Sequence, residues 1–87
     1  MTTREQIYSD SSLREQLKRI IQVHDLEAYI DLSGLERIIN LLKERSYSSI
    51  AGYIRTTVVV KYGGLLSEIQ ATNLGQEIIS WWENPNS

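Results

Sequence analysis

The sequence predicts an all-α chain, a compact single-domain bundle of five or six short helices. Three observations predict it. Apolar residues recur at three- and four-residue spacing in several separate stretches, so that each makes one apolar stripe on a helix. Three of those stretches open on Ser or Asn with Glu or Gln three residues on, the spacing at which a helix start satisfies its free N–H groups. Two-fifths of the 87 residues are apolar and about a quarter charged, an ordinary balance for a globular chain and too apolar for a disordered one.

The first strong helix is SSLREQLKRIIQVH. Ser12 and Glu15 have capping-box spacing, and Leu13, Leu17, Ile20, Ile21 and His24 share one face. Upstream, TTREQIY repeats the cap with Thr2 and Glu5 and predicts a short helical turn. DLEAYID is long enough for one or two turns. SGLERIINLLKERS follows, capped by Ser33 and Glu36, with Leu35, Ile38, Ile39 and Leu42 as its stripe and Leu41 well off it. The last helix is NLGQEIISWWENP. Asn73 and Gln76 cap it, Leu74, Ile78, Trp81 and Trp82 form its face, and Ile79 points elsewhere. The domain is expected to span 1–83, and the polar stretch around Pro85, residues 84–87, to be a frayed tail.

Residues 56–70, TTVVVKYGGLLSEIQ, admit two readings. Tyr47, Ile50, Ala51, Ile54, Val58 and Tyr62 fall within an arc of about 120° on a helix. That helix would stop at Gly63, and LLSEIQA would form a short helix with Leu65, Leu66 and Ile69 inward. Its five β-branched residues and Gly52 cost roughly 3–4 kcal/mol, against about 6–10 kcal/mol from burying four large side chains. Alternatively, Gly63-Gly64 turns a β-hairpin over 56–71 that pairs Val60 with Ser67, Val58 with Ile69 and Thr56 with Ala71. The helix accounts for Tyr47 to Tyr62 with one pattern and is preferred. The hairpin alternative gives an α+β chain whose element order is similar to a winged helix-turn-helix, and TNLGQEII resembles the Thr-x-x-Gly start of the last helix in many such regulators. A bundle of this length is similar to death-fold adaptors in size and helix count. Neither likeness assigns a family.

Composition excludes several chemistries. Without cysteine there is no disulfide and no thiolate metal site. The first twelve residues lack the apolar segment of a secretory signal, and no apolar run approaches a membrane span, so a cytoplasmic protein that contacts no membrane is expected. Charge is uneven: the first 62 residues carry nine basic and eight acidic side chains, the last 25 only Glu68, Glu77 and Glu83. The basic excess that phosphate binding requires is missing overall, so a nucleic-acid partner is not favoured.

Candidate chemistry is sparse. His24 is the only histidine; Asp25 and Glu27 are its nearest acids, and a C-terminal histidine on a helix dipole accounts for it more simply than a general base. His24, Asp25, Glu27 and Asp31 lack the second histidine of common zinc or iron sites, so no metal is expected. No nucleophile elbow or phosphate loop occurs, and neither catalysis, a cofactor nor a small-molecule substrate is expected. Surface features remain. Leu41, Val59, Val60 and Ile79 lie off their helices' stripes, and Trp81 and Trp82 are large for a terminal helix, so these six are the expected partner surface. Arg14, Lys18 and Arg19 form a small basic patch suited to phosphates or an acidic partner. The expectation is a non-enzymatic adaptor that binds a protein partner or another copy of itself. The alternative is a winged-helix DNA-binding regulator that contacts phosphates through Arg37, Lys43 and Arg45 or Arg55 and Lys61.

Overall fold

The computed structural model describes residues 3–57 and 68–85. These are all-helical: a 3₁₀ turn at Arg4–Gln6, then α1 (Asp10–Val23), α2 (Leu32–Lys43), α3 (Ser48–Arg55) and α4 (Glu68–Glu83). The all-α class holds, with four α-helices among the described residues in place of five or six. The count falls for two reasons. DLEAYID forms hydrogen-bonded turns, with Tyr29 N–H donating to the Leu26 carbonyl, and no helix. And the last two expected helices overlap in one: α4 starts at Glu68, so Asn73 is an exposed mid-helix residue and not a cap. The hairpin is contradicted at both of its described ends, because Thr56 and Thr57 continue α3 as a π-type turn and Ala71 lies inside α4. Val58, Lys61, Tyr62, Gly63, Gly64, Leu65 and Leu66 lie outside the described residues.

The helix starts differ from the expected caps by a few residues. Ser9, not Ser12, caps α1 and accepts from Ser12 N–H at 3.3 Å. Asp31, not Ser33, caps α2 and accepts from Gly34 N–H at 2.9 Å. In each case a capping-competent side chain stood two or three residues earlier.

Both α1 and α2 end in Schellman motifs without glycine. In α1, Asp25 takes the left-handed position (φ 58°), its N–H donates to the Gln22 carbonyl, and Leu26 N–H reaches back to Ile21. In α2, Arg45 takes it (φ 61°), with Arg45 N–H on Leu42 and Ser46 N–H on Leu41. The first motif turns Leu26 into the core beside Ile21.

The core joins Leu13, Leu17 and Ile21 of α1, Leu35, Ile38, Ile39 and Leu42 of α2, Ile50 and Ile54 of α3, and Ala71, Leu74, Ile78 and Trp82 of α4. The α2 stripe is therefore buried where the periodicity places it; of the expected α1 stripe Leu13, Leu17 and Ile21 are buried, and Ile20 and His24 are half-buried. Leu41 is a correction: it is 5% exposed. Because α2 packs against both α1 and α3, it buries a wider arc than one stripe. Ile69 is the opposite correction, 73% exposed. In a helix that starts at Glu68 it lies about 160° around the axis from Ala71. Helices α3 and α4 approach closely at Gly75, where an added Cβ would stand 3.2 Å from Ala51 Cβ.

Candidate functional site

The expected apolar surface does not assemble. Trp82 is fully buried as the last member of the α4 stripe, with its indole N–H unpartnered among the described residues. Leu41 is in the core. Ile79 and Trp81 are half-buried and packed against that core. On a helix they stand about 80° to either side of the Ala71–Leu74–Ile78–Trp82 stripe, so they face different directions. Val59 and Val60 lie outside the described residues.

Trp81 is instead covered by the N-terminal turn. Arg4 is nearly buried, and its guanidinium is held by neutral oxygens. Its Nε donates to the Trp81 carbonyl, Nη1 to Gln16 Oε1 at 2.9 Å and Nη2 to the Asn84 carbonyl at 3.3 Å. The guanidinium sits 5.2 Å from the Trp81 ring centre and 5.6 Å from that of Tyr8. The Trp81 indole N–H donates to the same Gln16 oxygen at 3.2 Å. A cation over two rings, bonded to the carbonyl end of a helix, is well placed electrostatically. Asn84, expected in a frayed tail, accepts from Arg4 and donates through Nδ2 to the Ser80 carbonyl at 2.8 Å.

The basic patch divides. Arg14 and Lys18 line a groove of about 400 Å³ between α1 and the start of α2, whereas exposed Arg19 is not part of its lining. The floor is Ile21, Ile30 and Leu35, all buried, and Leu32 stands 60% exposed beside it. Glu27 and Asp31 line the wall opposite Arg14 and Lys18, and Glu15 accompanies the two cations on α1. No ion pair joins the walls; the two salt bridges among the described residues are elsewhere. Asp31 is already engaged as the cap of α2.

Those two salt bridges tie helices together. Lys43 Nζ on α2 donates to Asp10 Oδ1 on α1 at 2.8 Å. This contact, and the Lys43 charge with a lesser contribution from Arg14, hold the Asp10 carboxyl below its ordinary value. His24 Nε2 meets Glu77 of α4, not Asp25 or Glu27. Among the described residues no three His, Cys, Asp or Glu side chains are grouped so as to hold a metal ion, and no helix is long and apolar enough to cross a membrane. A second cleft, of about 350 Å³, lies between Tyr29, Gly34, Tyr53 and Thr57.

Sequence reasoning found Arg14 and Lys18 but missed Leu32, Glu27 and Asp31 as their neighbours. The signal lay in Asp31: read as the cap, it begins α2 two residues earlier and places Leu32 in the first, exposed turn. Arg4, Gln16 and Glu77 are separated from their partners by many residues and left no local signal.

No family model, curated protein or solved structure matches this chain.

Proposed function

We propose that the chain is a non-enzymatic protein-interaction module that binds through the groove between α1 and the start of α2. The observation that carries this reading is an open groove with an apolar floor and walls of opposite, unpaired charge. Buried apolar area drives protein association, and rim charges orient it. The three carboxylates beside two cations disfavour a polyanion such as nucleic acid there. The DNA-binding alternative relied on a wing over 56–71, and Thr56, Thr57 and Ala71 are helical.

The test is site-specific photo-crosslinking. A benzophenone side chain at position 32 should capture a discrete protein, and one at exposed Gln76 should not. The captured protein, purified, should bind the unmodified chain and lose at least tenfold in affinity to Leu32→Asp. Equal capture from both positions, or binding indifferent to Leu32→Asp, would refute the groove as the binding face.

A further inference from the structure

Opposite the groove, on the far side of α1, stands Val23, at 77% the most exposed large apolar side chain among the described residues. Val23 lies about 180° around the helix from Arg14 and about 140° from Lys18. Exposed Arg19 precedes it by one turn, and exposed Asp25 follows it in the left-handed position that ends α1. This knob therefore presents a base, an aliphatic side chain and an acid in sequence. The groove presents the complement: Arg14 and Lys18 on one wall, with Glu15 beside them, an apolar floor with Leu32, and Glu27 and Asp31 on the other.

We infer that the occupant of the groove is a second copy of this chain, whose α1 end docks Val23 beside Leu32. This rests on the interaction-module reading and names its partner. In the docked pair Asp25 of one copy faces Arg14 and Lys18 of the next, and Arg19 faces Glu27 and Asp31. The match depends on direction: reversing the knob sets Asp25 against two carboxylates and Arg19 against two cations, which charge repulsion rejects. Knob and groove are different surfaces on opposite sides of one helix. The contact is therefore heterologous, each copy keeps one free knob and one free groove, and the assembly grows without a built-in stop at two. One exposed valine and five rim charges make a small contact, so the affinity is weak, on the order of 0.1 mM.

The experiment is sedimentation velocity from 0.01 to about 1 mM, at low salt and again at 0.5 M NaCl. The native chain should sediment faster as concentration rises, pass beyond the dimer, and lose most of this in high salt, because the rim charges are exposed. Val23→Asp and Leu32→Asp should each be monomeric and still melt cooperatively, since neither side chain is in the core; the helix dipole should move the first melt slightly down and the second slightly up. An equimolar mixture of the two variants is decisive. It retains one intact groove and one intact knob, so it should form a 1:1 dimer and nothing larger. A mixture that stays monomeric, or a native chain that stops at the dimer, would overturn the proposal. So would a native chain monomeric at 1 mM. The last result leaves the interaction-module reading standing if position 32 still crosslinks to a different protein, and removes both if it does not.

Discussion

Two glycines in helices should respond with opposite sign to the same substitution. Replacing a mid-helix glycine with alanine gains about 0.5–1 kcal/mol, because alanine restricts the unfolded chain and favours the helix. At Gly52 in α3 a new Cβ meets nothing within 4 Å, so Gly52→Ala should stabilise by that full amount. At Gly75 in α4 the new Cβ would lie 3.2 Å from Ala51 Cβ, 3.3 Å from its Cα and 3.4 Å from its N. Two of those three atoms are backbone, so α3 must shift bodily by a few tenths of an ångström. Overpacking of this kind costs about 1–3 kcal/mol. The helix-propensity gain offsets part of that, and Gly75→Ala should come out destabilised, by up to about 2 kcal/mol.

Urea unfolding followed by helical circular dichroism measures both. In a domain of this size 1 kcal/mol shifts Tm by about 4–8 °C, so the two variants should melt on opposite sides of the native chain. Ala51→Gly removes the nearest of the three contacts. In the double variant with Gly75→Ala, the two costs should therefore be less than additive. If Gly75→Ala stabilises as much as Gly52→Ala, the close approach of α3 and α4 is refuted, and with it the reason for a glycine at that point of α4.

Substitutions at four further positions test the packing, the Arg4 cluster, the turn that ends α2 and the Asp10–Lys43 pair. Trp82→Ala should cost about 3–5 kcal/mol, close to the entire stability expected of such a domain, on the order of 5 kcal/mol, so its melt should lose cooperativity. Arg4→Met should cost about 2 kcal/mol by denaturant melt, and Lys at position 4 should not restore it, because an ammonium lacks the fork that bonds Gln16 and two carbonyls at once. Arg45→Gly should raise stability by about 1 kcal/mol, since glycine adopts the left-handed position without a Cβ penalty. The Asp10 carboxyl, held low by Lys43, binds its proton less readily in the folded state than in the unfolded one. It therefore favours folding above about pH 4, and that contribution disappears as pH falls through the lowered folded value. Asp10→Asn should flatten this part of the stability–pH curve, as should 0.5 M NaCl.

The parts of the fold legible in the sequence are those encoded within one helix. The stripes Leu13–Leu17–Ile21 and Leu35–Ile38–Ile39–Leu42 were readable because periodicity is local, and both are buried. Features that depend on a second element were not. The burial of Leu41 follows from α2 lying between two helices, which its own sequence does not encode. Trp82 belonged to the α4 stripe by spacing, yet its size suggested a surface role that its complete burial denies. The Arg4–Gln16–Trp81 cluster spans nearly the whole chain. At the candidate site the basic wall was readable as two cations one turn apart on α1. The acidic wall was not, because its position depends on how the chain leaves α1.

That exit is what makes the groove. Leu26 N–H bonds the Ile21 carbonyl, so the chain reverses sharply at Asp25 and carries Leu26 into the core. Ile30 is buried too, four residues on, and anchoring both points leaves Glu27 and Asp31 on the outer side of the connection. Asp31 is then fixed in place by capping α2, and Leu32 is left in the first turn of α2. A looser exit would let Glu27 swing toward Lys18 and close the groove as an ordinary surface ion pair. Such pairs contribute little stability, about 0–1 kcal/mol, so the fold loses little by keeping the charges apart. The same Schellman turn places Asp25 beside Val23. One backbone motif thus builds both the acidic wall of the groove and the acidic flank of the knob. Asp25→Gly keeps the turn and removes only the flank: it should leave the melt unchanged or raised, and weaken self-association several-fold by sedimentation. Association unaffected by Asp25→Gly would show that the flank plays no part in docking.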